Sequence, residues 1–339
     1  MTITNSAGRA AGDDNRTGAR ASDPLAPSTA HVSAALSDFA SSFSNGEFFA
    51  DRVSPVILVD KKDDGFFKFA RKDSTTELSN RVGVRGSLNE ATIESAQGSY
   101  ECLGYGLKGP VSRATQAVED PAVNLKQRTS ANIMNRNLLS REIRVATQIT
   151  TSGNWDATAT TAATAVWSNQ TTGVPLTDIH TALEAIPAAG EESLKIGICA
   201  LEVFNDLRAH PQIRDLHGDG QGQISSAVLA EYLGLDELLV SDAQKNTANT
   251  GAALSISRVW LATVFAIVRV PKQLLDTNQQ MFSATFRRKI AGASDGILVR
   301  EWHEPDEGTE GTDMLAVSHE DDEVIIQDVS GHLLTSVRS

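Results

Sequence analysis

Long stretches without periodic apolar positions alternate along this chain with stretches where the period is sharp. Residues 1–30, MTITNSAGRAAGDDNRTGARASDPLAPSTA, are small and polar with no period. Such a composition buries too little apolar surface to offset chain entropy, and it reads as an arm. Val32, Ala35, Leu36, Phe39 and Phe43 then recur at helical spacing, which predicts an amphipathic helix docked either on a partner or on its own chain. Strand patterns follow at VSPVILVD (53–60) and GFFKFA (65–70), joined by KKDDG. From Arg71 to Ser99 the chain is polar and glycine-dotted, with Leu78, Val82, Val84, Leu88 and Ile93 as its few large apolar residues. Compact domains rarely hold so long a loop. We therefore expect a two-stranded excursion that finds its burial on another molecule, the alternative being a loop without structure of its own.

Glu119-Asp120-Pro121 offers an acidic cap and a proline suited to a first helical turn. Ala131, Met134, Leu138, Val145 and Ile149 fall near one stripe, and no glycine or proline intervenes before Gly153. The pattern predicts a helix over about 121–150, roughly 45 Å long at ~1.5 Å per residue. Its other face carries Arg136, Asn137, Arg141 and Arg144, read as solvated or subunit-facing. After a Thr/Ala-rich connection with two tryptophans (152–175), the pattern alternates in α/β fashion. Helices are expected at 176–186, 202–209 and 226–233, and strands at 194–200 and 237–241. An apolar strand or hairpin follows at 259–270, ended by Pro271. FSATFRRKI, GILVREWHEP and MLAVSHEDDEVIIQDVSGHLLTSV are extended segments. The whole is an α+β chain.

Composition narrows the function. Hydrophobic residues make up 40% and aromatics only 5%, so the core is aliphatic. A net charge of −13 excludes a broad basic face for nucleic acid and leaves only local contact. No apolar run approaches the ~18 residues of a membrane span, and the N-terminus has no hydrophobic signal core. Cys102 and Cys199 lie in apolar, strand-like settings and read as buried hydrophobes of a reducing compartment. Residues 301–323 hold ten acidic side chains and no lysine or arginine, a run expected to be solvated unless it faces a basic neighbour.

Candidate chemistry is sparse. In HGDGQGQIS (217–225), placing Gly222 at the sixth position of a calcium loop puts His217, Asp219 and Gln221 at the first, third and fifth and Val228 at the twelfth. One carboxylate remains where several are needed, so the stretch reads as a glycine-rich loop. His303-Glu304 and His319-Glu320 do not give the helical histidine pair of a zinc site. No nucleophile elbow, phosphate loop or dinucleotide fingerprint occurs. No catalytic, cofactor-binding or metal residue is nominated, and an enzyme is not expected.

The order of parts is itself informative: arm, polar excursion, one very long helix, α/β unit, returning strands. With it go FFADRVSPVILVDKKDDGFFKF (48–69), SYECLGYGLKGPV (99–111), LLSREIRVATQITTSGNW (138–155), and HPQI with LAEYLGLDELLVSDAQKNT (within 210–247). Over about residues 45–335 the chain resembles the major capsid proteins of tailed bacteriophages, with the Hong Kong 97-like fold. That resemblance implies an arm (1–50), a β segment with an extended loop (51–110, loop about 71–99), a peripheral domain with a spine helix (111–175, helix about 121–150), an axial domain (176–271) and peripheral return strands (272–339). It implies pentamers and hexamers of an icosahedral shell around phage double-stranded DNA, assembled in the host cytoplasm and residing in the virion. The implied partners are copies of the chain, scaffold, portal and decoration proteins and non-specific DNA, with no membrane and no cofactor. Inter-subunit contacts fall to Phe39 and Phe43, to Arg81, Arg85 and Glu90 of the excursion, to Arg141 and Arg144, and to Asp219 and Gln221 of the glycine loop. Some capsids of this fold weld subunits through a loop lysine. No lysine lies between Lys72 and Lys108, so no such weld is expected. The alternative is the shell protein of a bacterial encapsulin-type nanocompartment, which shares the fold.

Overall fold

One long helix lies against two β-sheets and ties them together. The computed structural model describes residues 31–43, 45–68, 81–82, 96–113, 124–187, 193–218, 223–249, 251–274, 279–308 and 311–339. The chain runs β1 (His31–Val32), α1 (Ala34–Ser42), α2 (Ala50–Val53), β2 (Val56–Val59), β3 (Asp63–Lys68), β4 (Ala96–Glu101), β5 (Leu103–Ser112) and α3 (Leu125–Thr150). It continues through β6 (Thr160–Ala162), α4 (Pro175–Ala185), β7 (Ser193–Ala200), α5 (Leu201–Ala209), α6 (Pro211–His217), α7 (Ser226–Leu233), β8 (Glu237–Ser241), β9 (Gln244–Asn246) and β10 (Ile256–Arg258). It closes with β11 (Phe265–Pro271), β12 (Ser283–Arg288), β13 (Leu298–Glu304), β14 (Thr312–Ile325) and β15 (Gly331–Thr335).

The first sheet has the order β1-β13-β14-β12-β2, with β5 also paired to β14; only β2–β12 is parallel. The second has the order β6-β15-β11-β7-β8, with β6–β15 and β7–β8 parallel. A parallel pair needs a crossover, and β7 reaches β8 through α5, α6 and α7. The sheet built on the expected axial segment thus also recruits 160–162 and 331–335 from outside it. β3 and β4 form a separate antiparallel pair, Asp63 to Lys68 against Glu101 to Ala96. The expected excursion falls between these two strands in sequence and, apart from 81–82, lies outside the described residues.

Asn124 begins α3, its side chain accepting a hydrogen bond from the Gln127 amide. The helix has 26 residues, roughly 39 Å at ~1.5 Å per residue. The cap expected at Glu119-Asp120-Pro121 lies outside the described residues. The early turns of α3 pack Ile133 and Met134 on Val299, Leu315 and Val317 of the first sheet. Its last turns pack Val145, Ala146 and Ile149 on Ile196, Ile198, Ala266 and Val268 of the second. Helices α4 to α7 cover the opposite face of the second sheet around Phe265, Ile267 and Cys199. The β3–β4 pair covers the opposite face of the first, Phe66 and Tyr100 packing on Phe286.

Of the two dockings left open for α1, the chain uses its own body: Ala40 is fully buried against α3 and β13, with Leu36 and Phe43 beside it. The apolar stretch 259–270 is strand only from Phe265 onward. Within the connection 152–175, Trp155 stacks on Phe282 with ring centroids 3.9 Å apart, and buried Trp167 donates to Asp178 at 2.9 Å.

Candidate functional site

The polar side chains that matter most to the architecture converge on the middle of α3. Glu142 is completely buried, and its carboxylate accepts hydrogen bonds from the Phe49 amide (3.0 Å), the Ala50 amide (2.8 Å) and the Trp260 indole N–H (2.6 Å). Burial drives its pKa up, and those three donors pull it back in part, so the net direction is upward. One carboxylate thus joins α3 to the turn that opens α2 and to the segment leading into β11.

Arg141, one residue earlier, is 2% exposed. Its guanidinium pairs with Asp51 and donates to the Ser54 carbonyl and the Thr285 hydroxyl, both at 3.1 Å. Arg144 makes a bidentate pair with Glu323 (2.9 and 2.7 Å) and lies 3.8 Å over the Tyr105 ring. Both arginines have partners within their own chain, and for Arg141, which is buried, this corrects the expectation of a solvated or subunit-facing role. Arg141 follows Met134 by seven residues and precedes Val145 by four, so helical geometry sets it on the buried stripe. Asn137 is buried as well, whereas Arg136 is exposed as expected.

Much of the acidic run is likewise paired rather than solvated. Asp321 is fully buried and takes two bonds from Arg287, at 2.7 and 2.8 Å. Burial alone would raise its pKa; the Arg287 bonds outweigh that and hold it below the usual carboxylate range. Asp313 gathers Arg113 (3.1 Å), Lys126 (3.3 Å) and His303 (3.0 Å), and Glu301 also meets Lys126. Asp306 and Glu307 are exposed, as expected of a solvated run. His319 stacks on Tyr105, and burial pushes its pKa down to about 4, leaving it neutral near pH 7.

A cleft of about 340 Å³ opens between α1, α3 and the first sheet, lined by Phe43, Leu58, Met134, Arg141, Ile297 and His319 among others. Ser41, Asp51 and Asp295 also line it, and the Ser41 hydroxyl is engaged with the Asp38 carbonyl (2.9 Å) and the Ser294 hydroxyl (3.2 Å). Among the described residues no group of three or more His, Cys, Asp or Glu side chains could hold a metal ion, and no helix is long and apolar enough to cross a membrane. Cys102 and Cys199 are buried and unbridged, and burial raises both thiol pKa values, that of Cys102 to about 11.

The other nominated contact residues are dispersed. Phe39 and Phe43 are half-buried, 6.3 Å apart between ring centroids, and Arg81 is exposed. Arg85, Glu90, Asp219 and Gln221 lie outside the described residues. The glycine loop is bounded by Gly218, whose φ of 73° closes α6, and by Ser225, whose hydroxyl caps α7. Sequence reasoning did not anticipate Glu142; the available signal was its place on the stripe between Leu138 and Val145.

No family model matches the chain. The major capsid protein of Pseudomonas phage JBD67 is 26% identical over 231 residues, which span 66% of this chain and 73% of that relative. A phage-related protein from Bordetella bronchiseptica has a similar fold, with a TM-score of 0.71 at 18% identity over 90% of this chain and 97% of that one. The capsid structure of cyanophage P-SCSP1u gives a TM-score of 0.56 at 12% identity over 88% and 90% of the two chains. At such identities the two structures speak for the fold alone, and in sequence the chain is similar to a phage major capsid protein.

Proposed function

We propose that the chain assembles into pentamers and hexamers of an icosahedral shell, with the Hong Kong 97-like organisation, that encloses phage double-stranded DNA. The observation that carries this reading is the β3–β4 pair: a two-stranded base, with Phe67 54% exposed, from which the polar stretch 69–95 departs and to which it returns. A single copy has little to gain from such an excursion, whereas a neighbour in a shell can cover it. In this reading α3 is the stiff spine of a peripheral domain, 176–271 supplies most of an axial domain, and 1–50 is the arm. Phe39, Phe43, Arg81, Arg85, Glu90, Asp219 and Gln221 remain proposed contacts between copies. The role is structural rather than catalytic. Net negative charge suits a container that encloses DNA without gripping it. Scaffold, portal and decoration proteins are the expected partners, with assembly in the host cytoplasm and residence in the virion.

The test is the particle mass of the purified chain by light scattering, with electron micrographs of the same peak. Rings of five and six or closed shells support the proposal, and nuclease-resistant DNA inside them supports a capsid over a nanocompartment filled with enzyme cargo. A strict monomer across salt and crowding conditions, alone and with a scaffold, overturns it.

A further inference from the structure

In and beside β10 stand three large apolar side chains that the described residues leave exposed. Leu254, two positions before β10, is 70% exposed, Ile256 at the start of β10 is 56% exposed, and Leu261, three positions beyond it, is 48% exposed. The β9–β10 hairpin is held firmly at its base. Asn246, Lys245 and Gln244 pair with Ile256, Ser257 and Arg258. Arg258 donates to Glu202 at 2.8 Å and to the Asp242 carbonyl at 3.0 Å, and the Val259 amide donates to Ala243 at 3.0 Å. Exposed apolar clusters on a pinned element mark interaction surfaces, because the ordering cost of binding has already been met by folding.

Charge says what covers it. Charged residues make up 22% of the chain, yet residues 246–257, NTANTGAALSIS, contain none. Two copies that each carry −13 repel over most of their surfaces. They can approach where charge is absent, and interface cores are depleted of charged residues for this reason. A strongly basic partner would instead be met by carboxylates. We propose that the exposed apolar residues in and beside β10, Leu254 and Ile256 with Leu261, form a contact between copies of this chain. The proposal deepens the shell reading above and rests on it.

The test compares the full wild-type chain with Leu254→Glu/Ile256→Glu and with the conservative pair Leu254→Met/Ile256→Val, following assembled mass against concentration by light scattering. Both positions face solvent, so the folded state should persist, and circular dichroism melting checks that it does. The glutamate pair is expected to raise the concentration needed for assembly at least ~10-fold while melting within a few degrees of wild type, and the conservative pair to assemble normally. Unchanged assembly by the folded glutamate variant overturns the hairpin proposal and leaves the shell reading intact. Normal shells that lose a second bound protein overturn it in favour of a heterologous partner. A wild-type chain that never assembles, alone or with a scaffold, overturns the shell reading and this proposal with it.

Discussion

Glu142 offers the sharpest perturbation of the architecture. Alanine at this position strands three donors at once: the Phe49 and Ala50 amides and the Trp260 indole N–H. A buried donor left without an acceptor costs ~1–3 kcal/mol. Phe49 is only half-buried and can recruit water, so its share falls at the low end. Against these losses stands the removal of a carboxylate that burial already disfavours, as its raised pKa records. The balance is a loss of about 3–5 kcal/mol. Glutamine separates the contributions. Its amide oxygen can serve the two backbone N–H groups, but its NH2 then meets the Trp260 N–H donor to donor, at ~1–2 kcal/mol. Trp260→Phe removes the opposing donor, so E142Q and W260F together should cost less than the sum of the singles by about 1 kcal/mol. Urea unfolding of the unassembled chain, followed by circular dichroism, measures all four corners of the cycle. A loss under about 1 kcal/mol for E142A, or strict additivity of the other two, would refute the view that this carboxylate pins three segments.

The Arg287–Asp321 pair is buried on both sides, so D321A should cost ~3–5 kcal/mol by leaving a guanidinium unpaired. R287M/D321L together should fall within about 1 kcal/mol of wild type in the same urea assay; equal damage from single and double changes would argue against this. In acid the sign follows from the directions. Asp321 and Asp313 are held below the usual aspartate value of 3.8, so their stabilisation is present above that pH and lost as pH falls through the depressed folded values. Glu142, shifted upward, contributes in the opposite sense. D313N should therefore be less stable near neutrality and show a flatter acid limb between about pH 5 and 3, and a curve parallel to wild type would count against this assignment. A Cβ on Gly331 would lie 2.2 Å from the Ile267 carbonyl oxygen, so Gly331→Ala should cost about 2–3 kcal/mol and lower the melting temperature; an unshifted melt would show that β15 can move aside.

Where the expectations diverged from the structure, residue type had been read ahead of geometry. Arg141 and Asn137 were assigned outward because they are polar, although helical spacing sets Arg141 with Met134 and Val145. The run 301–323 was expected mainly in water because it contains no lysine or arginine of its own. Its cations come from Lys126, Arg144, Arg287 and Arg288, which are distant in sequence and become neighbours only when α3, β12 and β14 meet.

The sequence by itself determined the elements whose signals are local. The period of 3.6 gave α1, α3, α4, α5 and α7 to within a few residues, and Pro271 ended β11 as expected. Aliphatic runs gave β7, β8 and β11. Propensity, capping and chain entropy act over a handful of neighbours, and for that reason they can be read without a fold. Only the tertiary structure decided that β2 lies parallel to β12, that β15 returns to the second sheet, and that Glu142 joins Phe49, Ala50 and Trp260. A buried charge is stable only beside partners at hydrogen-bonding distance, and here those partners lie from 34 residues (Arg287 and Asp321) to 179 residues (Arg144 and Glu323) away along the chain.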